Sequence, residues 1–266
     1  MTWPAAGLHG FADEARHALA AAGLAPPCAG EAAVVVFDTT SWSAFETEAS
    51  NLLGAAERRR AVRLRFDRDR RAYVLAHALW RVVLAVCLDR DAAEVPLDFL
   101  PSGQPQLPGT PWATSLSHSG PVVLIAVGEA RMLGVDVEQW PPRRPIEGLL
   151  PAICAPEEAR MVRALPPAQQ ERALLQLWTR KEALLKAFGI GLAQAPEAFC
   201  ATPGLPVVPP SNPGEPPCRV ADLALPGNGL AALAAPWEVA RYRLFTPGGN
   251  VGSVGVGVPA VHQMAP

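Results

Sequence analysis

The run from Leu174 to Phe188 limits this chain more tightly than any other stretch. Read at helical period, Leu174, Leu177, Trp178, Leu184, Leu185 and Phe188 fall on one stripe, and Gly189 and Gly191 follow as stop residues. A buried helix is expected, with charges where they are costly. Glu182 and Lys186 are neighbours on one flank of the stripe, and an exposed pair at this spacing adds only about 0.3 kcal/mol. Lys181 falls inside the stripe. Its ammonium must snorkel out or meet a carboxylate, because desolvating it alone costs on the order of several kcal/mol.

Upstream, Leu133 to Glu138 alternates. Period two puts Asp136 and Glu138 on one face of a strand, with Val135 and Val137 on the other. Side-by-side carboxylates repel unless a cation lies between them. Either they flank a strand end in water, or they share a cation with a third acid, for which Glu182 is the candidate. Three oxygen ligands with no His or Cys cluster nearby suit a hard cation such as Mg²⁺. Lys186, one turn beyond Glu182, would then lie beside the same phosphates.

Composition narrows the partners. The net charge is −2 and the pI about 6.2, so nothing global favours nucleic acid or an anionic membrane. The 5 cysteines show no CxxC spacing and are odd in number, which suits a reduced, cytoplasmic protein. Met1 to Gly10 lacks the pattern of a signal peptide, and no eighteen uncharged apolar residues run together.

Along the chain, residues 1–33 read as an extension without visible chemistry, with a short amphipathic helix from Phe11 to Ala22, and Ala33 to Asp38 as a first strand. The charge cluster Glu57 to Arg71, leading into an apolar helix from Ala72 to Leu88, is either a solvated helix face or a surface for phosphate or an acidic partner. Leu100 to Pro108 is a turn-rich loop. Thr114 to Gly120 reads as a loop suited to an anion nest, ahead of a strand from Val122 to Val127. One helical reading spans Pro156 to Gly189. Two strands, Glu238 to Phe245 and Asn250 to Val258, close the chain as a hairpin through Thr246 to Gly249. The layout is α+β, with similar halves at 34–131 and 132–258, a tail at 259–266, and a ligand site between the halves.

Gly134-Val135-Asp136-Val137-Glu138 and Trp178-Thr179-Arg180-Lys181-Glu182-Ala183-Leu184-Leu185-Lys186, preceded by Ser115-Leu116-Ser117-His118-Ser119-Gly120, closely resemble the 4'-phosphopantetheinyl transferases. Length and layout resemble the Sfp-type members, which are monomers of two similar α+β halves in pseudo-twofold arrangement. The resemblance runs from about Val34 to Val258. It implies transfer of the phosphopantetheine arm of coenzyme A to a serine of an apo acyl or peptidyl carrier protein, releasing adenosine 3',5'-bisphosphate. It makes Asp136, Glu138 and Glu182 ligands of Mg²⁺, and Lys186 a phosphate contact. Ser117, His118, Arg60 and Arg63 become coenzyme A contacts, as does the loop Ser102-Gly103-Gln104-Pro105. In the family that loop typically reads Gly-Lys-Pro, so Gln104 stands where a cation is expected.

The chemistry agrees independently. A serine hydroxyl must lose its proton while attacking the β-phosphate, so a base is required, and Glu182 is the candidate. Most of the barrier reduction is expected from Mg²⁺ and Lys186 acting on the pyrophosphate. Two other classes remain open on the residues alone: a coenzyme A-binding module without transfer, and an interaction protein holding an acidic partner on the Arg58 to Arg71 surface.

Overall fold

The computed structural model of the chain describes residues 10–191, 194–209, 214–248 and 255–257. In chain order the elements are α1 (Phe11–Ala21), β1 (Glu31–Asp38), α2 (Glu46–Leu52), α3 (Ala55–Val62), α4 (Asp67–Leu88), β2 (Asp98–Phe99), β3 (Pro105–Gln106), β4 (Trp112–Ser119), β5 (Val122–Glu129) and β6 (Gly134–Glu138). Then come α5 (Leu150–Ile153), α6 (Pro156–Ala164), α7 (Pro167–Phe188), β7 (Pro206–Val207), β8 (Cys218–Leu223), β9 (Leu230–Pro236), β10 (Arg241–Phe245) and β11 (Gly255–Gly257). The architecture is mixed α+β, as expected.

Two sheets carry the molecule, in strand orders β11-β10-β1-β5-β4 and β6-β9-β8-β7. Alternation decides what each face meets. Ala33, Val35, Phe37, Val123, Ile125 and Val127 of the first sheet pack on α4 and α1. Ala32, Val34, Val36, Leu124 and Ala126 turn the other way, onto Val135, Val137 and Leu233 of the second sheet. The far side of that sheet, with Val220, Ala232 and Ala234, receives Leu174, Leu177, Ala183 and Leu184 of α7. The layers therefore run helix, sheet, sheet, helix. By length and hydropathy α4 is apolar enough to cross a bilayer, but 78% of that window is buried inside the protein, which makes it a core helix.

Several local readings differ from the structure. The helix expected near the N-terminus forms as α1, and the extension that contains it is not separate chain, since α1 buries Phe11, Ala15, Ala18 and Leu19 in the first core. The charge cluster does not run straight into the apolar helix. Helix α3 ends at Val62, and Phe66, extended at φ −106 and ψ 135, starts α4 afresh. The expected helix from Pro156 to Gly189 breaks at Leu165, whose ψ of 154 is what a following proline demands. Thr114 to Ser119 belongs to strand β4 rather than to a loop nest. At the end of the chain, β10 pairs parallel with β1 and antiparallel with β11, so both join the first sheet, across the boundary drawn at residue 132. The expected strand from Asn250 coincides with β11 only at Gly255–Gly257; residues 249–254 lie outside the described residues.

Each half hides a cation with a glutamate that also caps a helix. Glu57, third residue of α3, accepts from Gly54 N (2.7 Å), His77 Nδ1 (2.8 Å) and Arg81 Nε (2.7 Å). Glu158, third residue of α6, accepts from Ala155 N (2.8 Å) and Ala201 N (2.7 Å), and pairs with Lys181 Nζ at 2.6 Å. Arg81 and Lys181 hold the same place in their helices, since 81 − 67 and 181 − 167 are both 14. Lys181, with 0% exposure, also donates to the carbonyls of Pro196 (2.7 Å) and Phe199 (2.6 Å). That answers how an ammonium survives in an apolar stripe: the acid comes from the preceding helix, and both oxygens of that acid and the ammonium find partners.

Removing the ammonium leaves Glu158 charged and buried. Lys181→Ala is expected to lower unfolding free energy by about 3–5 kcal/mol in urea titrations. In the other half, burial holds His77 below its ordinary pKa of 6.5 despite Glu57, while His77 and Arg81 hold Glu57 below the usual carboxylate range against its own burial. Both shifts are depressions, so the unfolded state binds more protons and stability falls on acidification. The loss should begin as pH drops through the unfolded histidine value near 6.5. Urea midpoints across pH 7.5 to 5 measure it, and His77→Gln should flatten the profile in the upper part of that range.

Candidate active site

The site is built where α7 lies across β6. A Cβ on Gly134 would collide with the carbonyl oxygen of Ala183 and crowd the amide of Ala187. Only a residue without a side chain lets helix and strand approach so closely. The same approach brings Lys186 over Asp136, two residues along the strand. Lys186 Nζ donates to Asp136 Oδ1 at 2.7 Å and to Ser117 Oγ at 2.9 Å. Ser117 Oγ in turn donates to Asp136 Oδ1 at 2.8 Å, closing a triangle.

Strand β4 supplies hydroxyls at every second residue. Ser115 Oγ accepts from Val135 N (3.0 Å), Ser117 holds Asp136, and Ser119 Oγ donates to Glu138 Oε2 (2.8 Å). The last two pairs share a sequence separation of 19, so β4 and β6 run side by side in the same direction. The serines tie the edges of the two sheets together and orient both acids.

Asp136 is 5% exposed, and its Oδ2 is buried without a hydrogen-bond partner. Glu138 is pushed above the usual carboxylate range, first by burial and also by the charge of Asp136, with Ser119 opposing. Glu182 is pushed up by burial, then by Asp136, and also by Glu138. The three acids therefore lie in one another's field, although they come from a strand and a helix far apart in sequence. They are not closed into a cage: among the described residues, no three His, Cys, Asp or Glu side chains gather as a ready metal-binding group. The donor set still fits a hard cation, because it consists of carboxylate oxygens, one of them buried and unpaired, with Asp136 and Glu138 oriented by Ser117 and Ser119.

Above this floor lies a cleft of about 1450 Å³. Arg60, Arg63, the loop Ser102 to Pro105, Ser117, His118, Glu138 and Lys186 all line it, so residues spread over more than a hundred positions converge. Asp136 sits beneath, reached through Ser117 and Lys186. Glu182 is not part of the wall. Gln104, standing where a cation is expected, lines the cleft and donates one amide hydrogen to the carbonyl of Ala187 at 2.9 Å. Sequence reasoning passed over Ser119, although it lies two residues beyond Ser117 on an alternating strand. Arg59 and Arg68 entered only as members of the Glu57 to Arg71 run, and Arg143 and Arg144 were passed over, since a proline-broken loop brings them to the cleft with no periodicity to announce them.

The profile of the 4'-phosphopantetheinyl transferase superfamily matches residues 132–208, the segment that holds both β6 and α7. A 4'-phosphopantetheinyl transferase of Nostoc sp., HetI, is 32% identical over 187 residues, covering 68% of this chain and 78% of the relative. The chain belongs to this superfamily. A phosphopantetheinyl transferase of Thraustochytrium is 30% identical over 63% of each chain, and a 4'-phosphopantetheinyl transferase of Bacillus subtilis is 26% identical over 55% of this chain and 65% of the relative. In this transferase, Gly134 is the residue on which the site depends sterically. Gly134→Ala is expected to destabilise by at least about 3 kcal/mol, because the clash is with backbone and no rotamer relieves it. Urea unfolding of Gly134→Ala beside Gly148→Ala, where a Cβ meets open space, measures that difference.

Proposed function

We propose that this protein transfers the 4'-phosphopantetheine arm of coenzyme A to a serine of an apo acyl or peptidyl carrier protein, releasing adenosine 3',5'-bisphosphate, with Mg²⁺ as the required metal. The observation that carries the reading is Lys186 Nζ, 2.7 Å from a buried aspartate, on the floor of a cleft with several arginines in its wall. Arg60 and Arg63, with Arg59 and Arg68 beside them, offer guanidinium forks to a polyanionic nucleotide. His118 and Ser117 line the same cleft and in this reading hold the next phosphate along. In this reading the two halves, each a sheet backed by a 22-residue helix, form a pseudo-twofold pair with the substrate between them.

Asp136, Glu138 and Glu182 would hold the Mg²⁺, which when bound neutralises charge on the pyrophosphate. The chain's own contribution is positional and electrostatic. Lys186, already fixed by Ser117 and Asp136, offers its remaining donor to the phosphate oxygen that gains charge as the P–O bond breaks. Glu182, which lies behind the wall, takes the proton of the attacking serine hydroxyl through an intervening water.

Incubation of an apo carrier protein with this protein, coenzyme A and Mg²⁺, followed by intact-mass spectrometry, should show a gain of one phosphopantetheine unit, abolished by EDTA. Glu182→Gln should keep the fold by circular dichroism and lower turnover by about 10²–10⁴-fold. Near-normal turnover in that variant would remove Glu182 from the role of base.

A further inference from the structure

Gln104 lies in the tip between β2 and β3. That tip is closed by Leu100 N to Gln104 O at 2.9 Å and Gly103 N to Leu100 O at 2.8 Å, with Gly103 at φ 86. The tip belongs to the first half, yet the Gln104 amide reaches the last turn of α7 in the second. The acceptor there is specific. The capping amide of Gly189 returns to Leu185 and Lys186, and Ile190 N also bonds Leu185 O. Ala187 O is thus left over at the helix end, and among the described residues its hydrogen-bond donor is Gln104 Nε2, at 2.9 Å. Gly189 makes room for the contact. It holds the left-handed conformation, φ 66, that ends the helix, and a Cβ there would overlap the Gln104 side-chain amide.

We propose that Gln104 is a positioning residue: it clips the β2–β3 tip to the C-terminal turn of α7, immediately beyond Lys186, and so holds that lysine and the cleft-lining loop in one fixed relation. The proposal rests on the transfer reading above for its kinetic consequence, but not for its structural one. One of the two amide donors of Gln104 is committed to the Ala187 carbonyl, so the side chain is anchored to the helix end instead of being free to follow a nucleotide phosphate. The side chain acts through Ala187, and through the turn that sets Lys186 against Ser117 and Asp136. Phosphate recognition then stays with the arginines of the cleft wall.

Three variants separate a clip from a ligand contact. Gln104→Ala removes the donor. Gln104→Glu keeps the shape but sets a carboxylate against a carbonyl at the negative end of a helix, and Gln104→Lys keeps a donor suited to that end. With coenzyme A and an apo carrier, the Ala and Glu variants should lose kcat by roughly tenfold or more while KM for coenzyme A moves less than about twofold, and Lys should restore most of kcat. Hydrogen exchange read by mass spectrometry should quicken in the α7 C-terminal peptide of the Ala and Glu variants, with α4 unchanged. A shift in KM alone would make Gln104 a ligand contact and overturn the proposal, as would unchanged exchange at the helix end. Should the unmodified protein transfer nothing to any carrier, the transfer reading fails, and the exchange measurement still decides the clip.

Discussion

The close approach of α7 to β6 at Gly134 is the constraint on which the rest of the site depends. A strand and a helix packed through ordinary side chains are held apart by those side chains, and Lys186 would then have to stretch to reach Asp136 and Ser117. With no Cβ at Gly134, the carbonyl of Ala183 and the amide of Ala187 rest almost on the strand backbone. Lys186 then reaches Asp136 without extending into solvent. The glycine is there for sterics and not for an unusual dihedral, since its backbone is that of a regular strand.

A helix driven that deep must bury what lies on its inner face, and Lys181 is the consequence. Its partner Glu158 is at once the N-terminal cap of α6 and the acceptor for Ala201, so one carboxylate ties α6, α7 and the segment after Phe199 together. Glu57 does the same for α3 and α4 through His77 and Arg81. A buried pair of this kind adds little net stability over apolar packing, but breaking it is costly, so it disfavours alternative packings of the helix. Both cation-bearing helices form the outer layers of the stack, and both are held at matching positions along their length.

Charge is divided between the two sides of the cleft. Guanidinium groups from α3, α4 and the Arg143–Arg144 loop lie in the wall, where water can reach them and a flexible polyanion can be gripped in several places. The carboxylates lie low, Asp136 and Glu138 on a strand edge stitched by serines and Glu182 on α7, and burial raises both Glu138 and Glu182. Lys186 stands between these regions. A substrate with phosphates at several points along its length matches that distribution better than a compact anion would.

The residue types and spacings alone made much of this readable. Period two placed Asp136 and Glu138 on one face, the 3.6 period put Glu182 and Lys186 on one flank, and Gly189 marked the end of α7, because local backbone geometry dictates each of these. The ordered motifs also pointed to the right family. Other features required contacts between distant segments. Ser115, Ser117 and Ser119 looked like a loop because hydroxyls and glycine favour turns, whereas pairing with β5 makes them a strand. Nothing local shows that β10 crosses back to lie parallel to β1, since a strand's sheet is chosen by which edge is free. Gln104 read as a missing cation, and only the position of Ala187 O reveals what its amide does. The sequence determined which chemistry each segment could carry, since side-chain identity and period are local properties. Tertiary structure decided which of those groups meet, because burial and partner choice are set by chain segments far away along the backbone.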